Sequence, residues 1–234
     1  MVNNSLCYFC GRKATSVDHV PPQNLFPSNM RNQLITVPSC KKHNEDYHLI
    51  DDRVKIYIQG NSSSKIAYDL FIAKTQKGLN RPQSKHFANS LIEEAIFYKL
   101  GSSQIIDMNV EKKKLDLYFE KISKGLYYFH YEKIAIGRMY YFFAPYTPKE
   151  HYKYQVALYH FKRLINSNLI FEGNCHNPDI FFYHYGIIKD HFYLKIRFYK
   201  DVEVLIIFKL ETRIQYYKNN LLQTLTKIWK KAGH

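Results

Sequence analysis

The spacing of hydrophobic and polar positions along the chain changes near residue 125. Between residues 64 and 125, apolar residues recur every three or four positions, which is the spacing of amphipathic helices. This pattern predicts helices at 64–77, 83–100 and 110–121. A turn-rich stretch of Gly, Asn and Ser at 60–64 precedes the first helix and indicates a boundary near residue 60.

Beyond residue 125 the pattern is typical of strands, because short runs rich in Tyr, Phe, Ile and Val are separated by turn residues. The predicted strands are 126–131, 180–186, 192–199 and 202–210. In the third of them, apolar residues alternate with Lys195 and Arg197, as in a half-buried strand with a basic outer face. Two further helices are predicted at 150–166 and 219–231. We therefore expect an α+β fold, with a helical layer on an antiparallel sheet.

A different pattern occupies the first sixty residues. Two strand-like segments, 16–20 and 34–38, are joined by a loop that contains proline, and a polar run that favours a helix follows His43. The predicted local order is strand, loop, strand, helix. We accordingly expect two domains, one of residues 1–60 and a larger one of residues 61–234.

The composition indicates a folded protein that binds a polyanion. Hydrophobic residues make up 46% of the 234 residues and aromatic residues 16%, which excludes a disordered chain. The formal net charge is +14, and it is uneven: residues 1–60 hold seven basic and five acidic side chains, whereas residues 61–234 hold 27 and 15. Nucleic acid is the commonest partner of so basic a protein, and an anionic membrane surface is the alternative.

Two features of the sequence predict a cytoplasmic protein. No run of about 18 apolar residues occurs, so we expect no membrane span. The start, MVNNSLCYFCGRK, lacks the apolar stretch of a secretion signal. Four cysteines are too few for a disulfide scaffold in a chain of this length, and three of them lie within the first 40 residues.

Four residues have the spacing of a zinc site. Two residues separate Cys7 from Cys10, and two separate Cys40 from His43. Such pairs can complete a tetrahedral Zn²⁺ site with no open position, which is typical of a structural zinc. Gly11 follows the first pair, where a tight turn often requires a positive φ. The 29 residues between the pairs exceed the needs of a simple zinc ribbon, so a further element is inserted there.

The insertion carries a second motif. The run DHVPP occupies 18–22, and the run LITVP at 34–38 leads into Ser39, Cys40 and, directly after His43, Asn44. With the two Cys/His pairs, this order of residues resembles the zinc-stabilised HNH nucleases, the ββα-metal or His-Me finger family. The resemblance covers about residues 5–52, a fifth of the chain.

The resemblance implies a fold for the N-terminal domain. It would be a ββα-metal finger, pinned by a structural zinc and followed by the basic α+β domain. The zinc ligands would be Cys7, Cys10, Cys40 and His43. Many relatives have Cys at the fourth position, and His is an equally normal zinc ligand.

The resemblance also implies roles in catalysis. Asp18 and Asn44 would bind a catalytic Mg²⁺ or Mn²⁺, and His19 would be the general base that activates water. The middle residue of the motif, which fixes the loop that bears the catalytic histidine, would be Asn32 or Gln33. We assign it to Asn32.

Elementary chemistry supports these roles independently. A neutral imidazole, with a pKa of about 6.5, can accept a proton from water. A hard divalent cation held by carboxylate and amide oxygens keeps positions open for phosphate and water. Adjacent residues of an extended chain face opposite sides, so Asp18 and His19 can serve separate roles. His48 and the pair Asp51-Asp52 are weaker metal-binding candidates, since exposed polar helix residues have the same pattern.

The predicted function is therefore a metal-dependent endonuclease that hydrolyses phosphodiester bonds in nucleic acid, with DNA as the favoured substrate. The N-terminal finger would catalyse cleavage, and the basic domain would recognise the target nucleic acid. A role in defence against foreign DNA is an analogy with small bacterial nucleases. The alternative is a non-catalytic, zinc-containing protein that binds nucleic acid; a protein that acts on membranes has only the charge in its favour. The sequence does not decide between a monomer and a homodimer, because it gives no spacing of the half-sites that a dimer would bind on DNA.

Overall fold

Helices cover both faces of an antiparallel sheet. The computed structural model describes residues 5–100, 103–108, 110–143, 151–212 and 214–215. The strands of these residues are β1 (Ser16–His19), β2 (Thr36–Ser39), β3 (Ala95–Leu100), β4 (Ser103–Met108), β5 (Gly137–Phe143), β6 (Phe171–Asn174), β7 (Phe181–Ile188), β8 (His191–Phe198) and β9 (Val202–Leu210). The helices are α1 (Lys41–Glu45), α2 (His48–Gly60), α3 (Lys65–Leu70), α4 (Lys77–Leu79), α5 (Lys85–Glu94), α6 (Lys112–Tyr131) and α7 (His151–Asn166).

The large sheet has the strand order β5-β9-β8-β7-β6, and all its neighbours are antiparallel. Side chains alternate across it. Phe192 of β8 packs in the core against Tyr127 of α6, whereas Tyr193 packs against Phe161 of α7 on the opposite face. The expected α+β class is therefore confirmed.

Most of the predicted elements of the basic half are present. The strands predicted at 180–186, 192–199 and 202–210 correspond to β7, β8 and β9, and the helix predicted at 150–166 corresponds to α7. The helix predicted at 219–231 lies outside the described residues. None of the helices that the structure describes combines the length and the apolar character needed to cross a bilayer.

Helix α6 replaces a predicted strand. The composition favours a strand at 126–131 and a helix that ends at 121, but a single helix extends to Tyr131. Its apolar buried positions recur every three or four residues: Leu115, Phe119, Ile122 and Leu126. The strand prediction is wrong because helical spacing continues through the aromatic run, and burial of one helix face outweighs the local preference of Tyr and Phe.

Gly125 lets α6 approach the N-terminal segment closely. A Cβ at this position would collide with the side chain of Val20, the residue that follows β1. Glycine inside a helix lowers helix stability, so this close approach explains its presence. The contact places α6 beside the segment that carries the Asp-His pair.

The helix predicted at 83–100 is only half correct. Helix α5 ends at Glu94, and the following residues form β3, which pairs with β4 in an antiparallel hairpin. The run AIFYKL is rich in β-branched and aromatic residues, so pairing with a second strand outweighs continuation of the helix. The helix predicted at 64–77 is present as α3, a π-helical segment at Phe71–Gln76, and α4, and it continues to Leu79.

The segments on either side of residue 60 share one hydrophobic core. Tyr8 belongs to the same buried cluster as Phe181 and Phe208 of the sheet. The hydroxyl of Tyr199, after β8, donates a hydrogen bond to the backbone oxygen of Leu25 at 2.8 Å. The turn near residue 60 therefore does not interrupt the core.

We expect the fold to lose stability on acidification because of His130. Its ring stacks on that of Tyr185, with 3.6 Å between centroids, and its Nε2 lies 2.9 Å from the hydroxyl of Tyr183. Burial lowers the pKa of His130 to about 4. The unfolded chain, with a histidine pKa of about 6.5, takes up the proton first. Stability that is present above about pH 6.5 is therefore lost as the pH falls towards about 4.

Urea unfolding at about pH 7 and about pH 4.5 measures this loss of unfolding free energy. His130→Phe keeps an aromatic ring against Tyr185 and removes the titrating group. The variant should therefore lose less stability between the two pH values than the wild-type protein. Equal losses in the two proteins would show that other groups cause the acid sensitivity.

Candidate active site

Three cysteines and a histidine converge next to the strand pair β1 and β2. The ligand atoms of Cys7, Cys10, Cys40 and His43 all lie within 4.8 Å of one another. Nδ1 of His43 lies 3.2 Å from Sγ of Cys40 and 3.7 Å from Sγ of Cys7. Sγ of Cys10 lies 3.9 Å from Sγ of Cys40. The structure thus brings together the four residues that the spacing predicts.

Local backbone structure explains this convergence. Gly11 has a φ of +73°, and its N–H donates to the carbonyl of Cys7 at 2.9 Å, which closes the first turn. Cys40 immediately precedes α1, and its carbonyl accepts the N–H of His43 at 3.0 Å. The ring of Phe9 stacks on that of His43 with 4.3 Å between centroids, and this contact orients the imidazole.

The cluster has the dimensions of a tetrahedral zinc site. With Zn–S of about 2.3 Å and Zn–N of about 2.1 Å, the tetrahedral edges are about 3.8 Å between two sulfurs and about 3.6 Å between sulfur and nitrogen. Three of the six separations, at 3.9, 3.7 and 3.2 Å, are close to these edges, and all six are within 4.8 Å. The four residues could therefore bind a metal such as zinc.

The lowered pKa of the Cys7 thiol also favours metal binding. Burial opposes its ionisation, but hydrogen bonds from the His43 ring and from backbone N–H groups lower its pKa to about 6. The thiolate is the form that binds zinc. Burial raises the pKa of Cys10, also in the cluster, to about 11, and that of Cys175, outside the cluster, to about 12, so the lowered pKa is a property of Cys7 and not of every cysteine in the cluster.

A pocket of about 240 Å³ lies beside α1, the helix that carries His43. Asp18, His19 and Asn44, which the sequence singles out for catalysis, all line it. The strand β1 supplies the first two, and its antiparallel pairing with β2 fixes their positions. The structure thus brings the two β1 residues and a residue of the following helix to one pocket.

Hydrogen bonds to β1 hold the side chain of Asn44. Its Nδ2 donates to Oγ of Ser16 at 3.0 Å and to the carbonyl of Val17 at 3.1 Å. Because the amide nitrogen is engaged in this way, the amide oxygen is the atom available to a ligand. An amide oxygen is a hard ligand, which suits Mg²⁺ or Mn²⁺.

His19 has the protonation state of a general base. Burial is the main reason that its pKa lies below 6.5, and the positive charges of Arg31 and Lys121 lower it further, while Asp18 opposes them. The imidazole is therefore neutral at pH 7. A neutral imidazole in a pocket can accept a proton.

Asp18 and Asp51 share a buried lysine that the sequence does not predict. Nζ of Lys121 lies 2.7 Å from Oδ2 of Asp51 and 3.3 Å from Oδ2 of Asp18, and 2% of the lysine side chain is exposed. The hydroxyl of Tyr8 donates to Oδ2 of Asp18 at 2.9 Å. Burial raises the pKa of both carboxyl groups, that of Asp51 to about 6, although the charge of Lys121 opposes this rise.

The residue assigned to the middle of the motif does not reach the pocket. Asn32 is exposed, and so is Gln33, whose φ is +60°. Neither lines the pocket, whereas Asn24 does. Nδ2 of Asn24 donates to Oδ1 of Asp52 at 2.8 Å. Nothing in the sequence distinguishes Asn24 from other asparagines in loops.

Two oxygen atoms of the pocket residues lack a hydrogen-bond donor. Oδ1 of Asp51 and Oδ1 of Asn24 are buried and accept no hydrogen bond from the described residues. A buried acceptor without a partner is costly, and native structures usually supply a partner, a water molecule or an ion. With the amide oxygen of Asn44, these atoms form a donor set that fits a hard divalent cation.

Comparison with known proteins identifies no relative. No family model, no curated protein and no solved structure matches the chain. The interpretation of the pocket therefore depends on its geometry and on the motif order in residues 5–52.

Proposed function

We propose that the protein is a metal-dependent HNH endonuclease that hydrolyses phosphodiester bonds in nucleic acid. One observation carries the proposal. A closed Cys₃His cluster fixes the end of a strand pair and the start of α1, and the adjoining pocket brings together Asp18, His19 and Asn44. A structural zinc at the cluster and an open site for Mg²⁺ or Mn²⁺ in the pocket would then have separate tasks.

His19 is the general base of this proposal. It is neutral at pH 7 and lines the pocket, so it accepts the proton of the water that attacks phosphorus. The carboxylate of Asp18 is adjacent, and its charge favours the imidazolium that forms after the transfer. Tyr8 and Lys121 fix that carboxylate through Oδ2.

The reaction also requires neutralisation of the negative charge on the phosphate and binding of the nucleic acid. A Mg²⁺ or Mn²⁺ held by Asp18 and Asn44 would supply positive charge at the phosphate and at the leaving oxygen. Binding would come from the basic half of the chain. Residues 61–234 hold 27 basic and 15 acidic side chains, and this excess of positive charge favours phosphate groups. DNA is the proposed substrate.

A cleavage assay tests the proposal. The purified chain is incubated with supercoiled plasmid, single-stranded DNA and RNA, each with Mg²⁺, with Mn²⁺ and without divalent cations. We expect nicked or linear plasmid only in the presence of a divalent cation. A chain that binds nucleic acid but cuts none of the three substrates would instead be the non-catalytic, zinc-containing binding protein.

A further inference from the structure

Asp51 occupies an unusual position for a carboxylate. It lies in the first turn of α2, lines the pocket that contains His19, and is 7% exposed. Sequence pattern assigns it to an exposed polar helix face, so its burial is unexpected. A buried carboxylate is strongly destabilising unless its oxygens are paired or bind a metal.

The two oxygens of Asp51 differ in their surroundings. Oδ2 accepts a hydrogen bond from Nζ of Lys121 at 2.7 Å. Oδ1 is buried and has no hydrogen-bond donor among the described residues. The lysine therefore accounts for one oxygen and leaves the other without a partner. A divalent cation in the pocket would satisfy it.

The other carboxylates of the pocket have partners. Oδ2 of Asp18 accepts from Tyr8 and also faces Lys121. Oδ1 of Asp52 accepts from Asn24 at 2.8 Å and from Nζ of Lys55 at 3.3 Å, and the side chain of Asp52 is 42% exposed. Asp51 is thus the pocket carboxylate that combines deep burial with an unpaired oxygen.

The charges around the pocket also favour a cation. Lys121 carries one positive charge and forms ion pairs with the two carboxylates of Asp18 and Asp51. Among these three groups, a cation in the pocket would therefore face two carboxylates and one lysine charge. The unpaired Oδ1 of Asn24 is a neutral hard donor of another residue that lines the pocket. Carboxylate and amide oxygens are the set that Mg²⁺ and Mn²⁺ prefer.

We propose that Oδ1 of Asp51 and Oδ1 of Asn24 are direct ligands of the divalent cation in this pocket, in addition to the oxygens that the HNH resemblance implies. Lys121 holds the other oxygen of Asp51 and so orients the carboxylate towards the pocket. The inference rests on the proposed function for the presence of that cation. Asp51 and Asn24 are not residues of the HNH motif, and the inference assigns each of them a direct contact with the cation.

Titration with Mn²⁺ tests this assignment without any nuclease substrate. Free Mn²⁺ is followed by electron paramagnetic resonance in the presence of the zinc-loaded full chain. In Asp51→Asn, the amide oxygen can still accept from Lys121, which places a hydrogen-bond donor where Oδ1 stands. We expect the affinity for Mn²⁺ to fall by at least roughly 10- to 100-fold, because loss of an outer-shell partner alone has an effect of that size and Asp51 is proposed as a direct ligand.

Asp52→Asn is the matched control. It removes the same charge from another residue that lines the pocket, and its amide oxygen can still accept the hydrogen bond from Asn24 and so keep that proposed ligand in place. Its affinity for Mn²⁺ should change much less than that of Asp51→Asn. Zinc content and thermal unfolding show whether each variant is folded. Asn24→Ala decides the question if Asp51→Asn does not fold, and a loss of roughly tenfold is expected there too.

The outcomes separate this inference from the proposed function. If the wild-type chain binds Mn²⁺ and folded Asp51→Asn binds it equally well, Asp51 is not a ligand, and the nuclease proposal still stands. Equal losses in Asp51→Asn and Asp52→Asn would also overturn the inference, because charge alone would explain them. If the wild-type chain binds no Mn²⁺, both the inference and the metal-dependent mechanism fail.

Discussion

His19→Ala should reduce the rate of phosphodiester cleavage by about 10²- to 10⁴-fold, the typical contribution of general base catalysis. The imidazole is neutral at pH 7, lines the pocket and stands beside the fixed carboxylate of Asp18. Its loss removes the group that accepts the proton of water. The affinity for DNA should stay nearly unchanged, since binding depends on Lys and Arg side chains spread over the basic half.

The rate is measured by plasmid nicking and the affinity by fluorescence anisotropy of a labelled duplex. His86→Ala is the control, because His86 is exposed on α5 and does not line the pocket. This control should cut at the wild-type rate. A His19→Ala variant that retains more than about a tenth of the wild-type rate would remove His19 from its role.

Cys40→Ser should lose the zinc and unfold the N-terminal segment. Cys40 contributes Sγ to the Cys/His cluster, so its replacement by a hydroxyl, which is not a usual zinc ligand, opens the site. Zinc binding in small structural sites contributes about 10–16 kcal/mol to folding, which exceeds the total stability of many domains. The expected effect is therefore larger than that of an ordinary core substitution.

Elemental analysis and circular dichroism measure this effect. Cys175→Ser is the matched control, because Cys175 is fully buried but lies outside the cluster. The control should keep about one zinc per chain, although the buried hydroxyl lowers its stability. Zinc retained by Cys40→Ser, or lost from Cys175→Ser, would contradict the assigned ligand set.

The two halves of the Cys/His cluster and the local strand-helix order could be predicted because they depend on short-range structure. Two residues between Cys7 and Cys10 fit one tight turn, and the same spacing after Cys40 fits the first turn of a helix. Residues of one strand also keep their relative directions. Asp18 is buried while its neighbour His19 is partly exposed, as alternation in β1 requires.

Other parts of the site could not be predicted, because distant segments supply them. Lys121 meets Asp51 across 70 residues, and its helix includes a run that the composition assigns to a strand. The burial of Asp51 and of Oδ1 of Asn24, on which their proposed role depends, follows from tertiary packing and not from local pattern. Without α6 in place, Asp51 has the pattern of an exposed helix residue.

The account predicts that DNA cleavage depends jointly on a divalent cation and on His19. The most direct test is a time course of plasmid nicking by zinc-loaded protein in buffer freed of other divalent cations, followed by addition of Mg²⁺. Wild-type protein should stay inactive until Mg²⁺ is added and then nick the plasmid, whereas His19→Ala should not respond. Cleavage before Mg²⁺ is added, or an equal response in the two proteins, would contradict the account.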